Sequence, residues 1–163
     1  MSFQSVDQIL AAAAVVGRAE GDSFVPSGGA VPGELVDRLA HAGALGATPE
    51  IRGTARWIIR SLAAAQGIRP ASIHDLYMAM GRGEAGGFTV PAMNIRVMSY
   101  YTARAAFRAA RQCGAGAIIF EIARSEIGYT EQRPHEYAAM ITAAALREGF
   151  SGPLFIQGDH VQV

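Results

Sequence analysis

The second half of this chain predicts an α/β fold with parallel strands. Three observations carry the prediction. Short apolar runs end at Asn94, at Glu121 and just before Gln157, and two amphipathic helical stretches separate them. The texture changes from helical to alternating at a glycine-rich segment, Gly81-Arg-Gly-Glu-Ala-Gly-Gly87. Each apolar run hands over to polar side chains at its C-terminal end. A strand–helix–strand–helix–strand order implies parallel strands with right-handed crossovers. In open parallel sheets and in α/β barrels, ligands bind at the ends where the strands finish. The expected organisation is an all-helical region over 1–80, followed by the alternating region over 81–163.

Ser5-Val-Asp-Gln8 opens the first helix as a capping box, and Val6, Ile9, Leu10, Ala13 and Val16 follow at helical spacing. That helix is expected to stop near Gly21, with a loop over 22–33 rich in proline and glycine. Residues 34–42 predict a short helix with Leu35, Val36 and Leu39 on one side. Thr48-Pro49-Glu50 starts the next helix with a hydroxyl cap, a first-turn proline and an acid at the positive end of the dipole. Its apolar seam runs Ile51, Ala55, Ile58, Leu62, Ala65 and stops at Gln66-Gly67. Ser72-Ile-His-Asp75 opens one more helix, which closes near Gly81.

Beyond the glycine-rich turn, residues 88–95 predict a strand and 99–113 an alanine-rich helix. Residues 117–123 predict a second strand and 124–133 a loop. Residues 134–148 predict a helix stopped by Gly149, and Leu154-Phe-Ile156 a third strand leading into Gln157-Gly-Asp-His160. Three strands leave two sheet edges and one face open. The expectation is the front part of a longer protein, or a chain completed by a partner.

Composition excludes several functions. All 14 cationic residues are arginine, so no lysine is present for a Schiff base, for pyridoxal phosphate or for a P-loop. Formal net charge is zero and the arginines are scattered, which argues against nucleic-acid binding. Cys113 is the single cysteine, so no intrachain disulfide can form, and a reducing cytoplasmic setting is expected. The start of the sequence lacks a basic segment followed by a long apolar core, so no signal peptide is expected, and no apolar run approaches the ~20 residues needed to span a membrane. The glycine-rich segment fits neither GxGxxG nor a Walker pattern.

The candidate site residues are Asn94, Glu121, Asp159 and His160. Gly158 before Asp159 allows close approach of a substrate, and a carboxylate there suits general acid/base work. His160 has the residue type of a metal ligand; His41, His74 and His135 lie on predicted helices without ligand-like spacing. Glu121 ends an apolar run and needs a partner or a role, with Arg96 and Arg124 as candidate partners. Asn94 can orient a substrate hydroxyl or cap the helix that follows.

Pro91-Ala-Met-Asn94, Ala117-Ile-Ile-Phe-Glu-Ile122 and Gln157-Gly-Asp-His160 resemble, in order and spacing, the first three strand motifs of class II, metal-dependent ketose-bisphosphate aldolases. These are the fructose- and tagatose-bisphosphate aldolases. Gly128-Tyr-Thr130, with Pro134 and Tyr137, is similar to the non-catalytic accessory subunits of tagatose-bisphosphate aldolase. The resemblance covers about residues 73–163. It implies a partial (β/α)8 TIM barrel, its first three parallel strands lying in 81–163. It assigns Asp159 as the catalytic carboxylate, Asn94 and Glu121 to substrate binding and His160 to zinc, with the remaining zinc ligands outside this chain. The metal would polarise the ketone as a Lewis acid. The implied reaction is reversible cleavage of a ketose (bis)phosphate to dihydroxyacetone phosphate and an aldehyde, with this chain alone inactive. The implied partners are a phosphorylated sugar and either further copies of the chain or the rest of the barrel. Two alternatives remain: an accessory subunit without catalysis, and a sugar-phosphate-binding barrel without metal. Ala123 and Arg124 stand where many members have a phosphate-contacting serine. The helical front has no counterpart in the short members.

Overall fold

The computed structural model describes residues 2–161. The chain runs α1 (Val6–Ala13), β1 (Gly17–Glu20), β2 (Ser23–Pro26), α2 (Gly33–Leu45), α3 (Pro49–Ala65), β3 (Ile68–Ala71), α4 (His74–Gly81), β4 (Ala92–Asn94), α5 (Ser99–Gln112), β5 (Ile119–Ala123), α6 (Arg124–Thr130), α7 (Pro134–Arg147) and β6 (Gly152–Asp159). β1 and β2 form an antiparallel hairpin, and the other four strands form one sheet in the order β3-β6-β5-β4, every pair parallel.

Local signals place the helix starts. Ser5 Oγ accepts the Gln8 N–H at 3.3 Å, and Gln8 Oε1 reaches back to the Gln4 N–H at 2.8 Å. Thr48 Oγ1 accepts the Ile51 N–H at 3.3 Å, with Pro49 in the first turn where its missing donor costs nothing.

Register then sets the faces of the sheet. Met93, Phe120 and Ile156 lie side by side across β4, β5 and β6, and Asn94, Glu121 and Gln157 form the next row, on the opposite face. The apolar row joins the helix layer: Phe120 packs on Phe107 of α5 with ring centroids 5.0 Å apart, and Phe107 packs on Phe150 at 5.1 Å. α5 and α7 cover this face, and α2 and α3 stack on α7. Ile58, Ile59, Leu62, Tyr137, Ile141 and Leu154 are fully buried between these layers. The polar row is left on the side away from the helices.

The structure corrects two expectations. The front segment is not all helical: among the described residues it carries β1, β2 and β3. In the hairpin, Glu20 pairs with Ser23, so Gly21-Asp22 is a two-residue turn, and Gly21 supplies the positive φ of 55° that such a turn demands. β3 pairs with β6 from Ile68↔Gly152 to Ala71↔Phe155, and as an edge strand it tolerates Pro70. Second, the expected loop over 124–133 begins with α6. The parallel α/β sheet is as expected, with a fourth strand added; it is open, with β3 and β4 at its edges, and no closed barrel forms among the described residues. No helix among them is long and apolar enough to cross a membrane.

Candidate functional site

Because β4, β5 and β6 are parallel neighbours, their C-terminal ends lie on one rim. Asn94 ends β4, Asp159 ends β6, and β5 passes directly into α6 at Arg124. Asn94 Nδ2 donates to Asp159 Oδ2 at 3.2 Å and to Glu126 Oε2 at 3.3 Å. One amide is thus bracketed by two carboxylates from different elements.

Glu126 holds this arrangement to the fold. It is buried, with its side chain 3% exposed. Its Oε2 also accepts the Ala123 N–H at 2.9 Å, and its Oε1 accepts Arg96 Nε at 2.5 Å. Burial alone would push its pKa up. The Ala123 N–H, Arg96 and Asn94 together outweigh burial and hold the carboxyl below its usual range. Glu126 therefore stays ionised in a place where an unpaired carboxylate would be costly.

Of the four residues expected at the site, Asn94 and Asp159 meet. Glu121 shares the row of Asn94 and Gln157, two residues short of the Ala123↔Asp159 pair, and Gln157 Nε2 donates to its Oε1. Its partner is therefore neither Arg96 nor Arg124. Parallel pairing brings Gln157 alongside, while Arg96 is taken by Glu126. His160 follows at a left-handed φ of 51°, which turns its side chain outward; it is 86% exposed, with Nε2 at 3.6 Å from Asp159 Oδ1. Glu126 was missed in the sequence because 124–133 read as a loop. The available signal was half a capping box, a glutamate three residues after Ala123 whose carboxylate takes the Ala123 N–H.

Tyr137 lies buried beneath this rim. Burial pushes its phenol pKa up, and the nearby charges of Glu126 and Glu121 push the same way. The hydroxyl lies near the Ile95 backbone and makes no well-formed hydrogen bond.

Chemically, the rim offers one carboxylate with an open oxygen. Asp159 Oδ2 is held by Asn94, while among the described residues Oδ1 faces the His160 imidazole, beyond hydrogen-bond distance. Asn94 keeps its amide oxygen as an acceptor. Among the described residues no group of three His, Cys, Asp or Glu stands close enough to hold a metal ion. His160 is the imidazole beside Asp159, and His74, at the start of α4, lines a cleft with Ile156 and Gln157 of β6. Comparison with protein-family models finds no match, and the same holds for curated proteins and for solved structures.

Proposed function

We propose that this chain forms part of a lyase site of the class II aldolase type, acting on a ketose (bis)phosphate by reversible aldol cleavage. β4, β5 and β6 are then the first three strands of a (β/α)8 barrel. The observation that carries this reading is the Asn94–Asp159 contact at the C-terminal ends of two parallel strands, 3.2 Å between Nδ2 and Oδ2. In this reading Asn94 fixes the Asp159 carboxylate, and the open Oδ1 exchanges a proton with a substrate hydroxyl laid across the rim. Glu121 and Gln157, in the same row as Asn94, bind sugar hydroxyls. β3 pairs only with Gly152–Phe155, so a fourth barrel strand would add along Ile156–Asp159 or displace β3.

One observation favours a second reading, that of a non-catalytic accessory subunit. His160 points into solvent, with its side chain 86% exposed. The test is aldol cleavage of fructose and tagatose bisphosphates by the longest natural form of the chain, with zinc added, beside Asp159→Asn. The lyase reading expects activity that falls by about 10²–10⁴-fold in the variant. Absence of cleavage, joined to stimulation of a separately purified class II aldolase, would replace it with the accessory reading.

A further inference from the structure

Five large apolar side chains stand exposed in one place. Leu45 at the end of α2, Val97 and Met98 ahead of α5, Tyr101 in its first turn and Tyr129 near the end of α6 are each more than half exposed. All five line a single cleft of about 620 Å³, a size typical of small-molecule sites. Grouped exposure of this kind marks a binding surface more often than a folding accident. Met98 holds a left-handed φ of 51°, a strained conformation for a residue with a Cβ, and it keeps Val97 and Met98 at the cleft wall.

The carboxylates and the guanidinium that line the cleft are all ion-paired, and the guanidinium keeps open donors. Of the two carboxylates, Asp37 accepts from Arg104 and Arg147, and Glu136 is paired with Arg56 at 2.7 Å. Arg96 also lines the cleft. Its Nε is held by Glu126, and its two terminal nitrogens have no partner among the described residues. A guanidinium held at one nitrogen and open at the other two presents a fixed fork to an anion. Tyr101 meets Tyr100 edge to face, with centroids 5.2 Å apart, so its ring is set in place for stacking.

We propose that this cleft binds a small aromatic anion, its ring against Tyr101, Tyr129 and Met98 and its charge on the terminal nitrogens of Arg96. This site adjoins the Asn94–Asp159 rim through Glu126, which accepts from both Arg96 and Asn94, but it does not depend on the lyase reading.

The test is calorimetric titration of the full chain with 1-naphthyl phosphate, with inorganic phosphate and 1-naphthol as comparators. Saturable binding of one naphthyl phosphate, about tenfold or more tighter than either comparator, is the expected result. Tyr101→Ala should weaken it by about tenfold, and Leu45→Glu, which sets a negative charge on an already exposed position, should weaken it as much. Both variants are checked for an unchanged thermal unfolding midpoint. Equal affinity for naphthol would reduce the cleft to a greasy patch, and equal affinity for inorganic phosphate to a surface cation. Either result overturns the proposal. So would absence of binding or insensitivity to both cleft variants.

Discussion

Replacing Glu126 tests the joint between fold and site. The carboxylate makes three hydrogen bonds: to the Ala123 N–H at 2.9 Å, to Asn94 Nδ2 at 3.3 Å and to Arg96 Nε at 2.5 Å. In Glu126→Gln the amide oxygen can keep Ala123 and Asn94, but the NH2 then faces the Arg96 donor. One charge-assisted hydrogen bond is lost, a change of about 1.5–3 kcal/mol. Arg96 is 60% exposed and recovers solvation, which puts the cost at the low end, about 1.5 kcal/mol. Glu126→Ala also strands the Ala123 N–H, adding about 1–3 kcal/mol, for a total near 3 kcal/mol. Urea unfolding at neutral pH reads both values, with an unchanged m-value. pH supplies a second reading. The Glu126 pKa is depressed in the folded state, so its stabilisation is complete above the usual carboxylate range and is lost as pH falls through the folded value. The gap between parent and Glu126→Gln should therefore close in acid. A cost under about 0.5 kcal/mol for Gln, or a gap that persists at low pH, would refute the reasoning.

Two further stability predictions rest on contacts of the fold. Gly46 caps α2 where an added Cβ would stand 2.6 Å from the Ala42 carbonyl oxygen and 2.6 Å from Ile51 Cγ2. Gly46→Ala should therefore cost about 1–3 kcal/mol in chemical unfolding, and a neutral result would mean that the α2–α3 turn is loosely held. The Tyr137 hydroxyl is buried without a partner, so Tyr137→Phe should be neutral or raise stability by up to about 1 kcal/mol. A loss of that size would instead establish a bond to the Ile95 backbone.

The helices were legible where side chains announce their own ends. Ser5 and Gln8, and Thr48 with Pro49, do their capping locally, and the caps appear in place. The parallel strands were legible because Phe120 and Leu154 sit in short apolar runs bounded by glycine and polar residues. Their extents were not: residues 88–95 read as a strand, yet only Ala92–Asn94 pair. Pairing depends on a neighbour, which a single run does not reveal. β3 was hidden by Pro70, which argues against a strand unless the strand is an edge, and edge position is a property of the whole sheet. The hairpin was hidden by the alanine-rich run before it, although Gly21-Asp22 carried a turn signal. At the rim, Asn94 and Asp159 followed from strand polarity alone. Glu126 and the outward turn of His160 depended on a helix unseen in the sequence and on one left-handed residue.

The pairing of β3 with β6 also sets an order of events. Ile68 finds Gly152 as its neighbour, 84 residues later in the chain (152 minus 68). During synthesis β3 is complete long before anything exists for it to pair with, and the loop it closes is among the longest in the molecule. Non-local pairing of this kind slows folding, since chain entropy must be lost before the contact forms. Until β6 arrives, Ile68–Ala71 is a naked strand edge, and Pro70, with no N–H to offer, makes it a poor template for another chain. The residue that disguises β3 in the sequence also protects it while it waits.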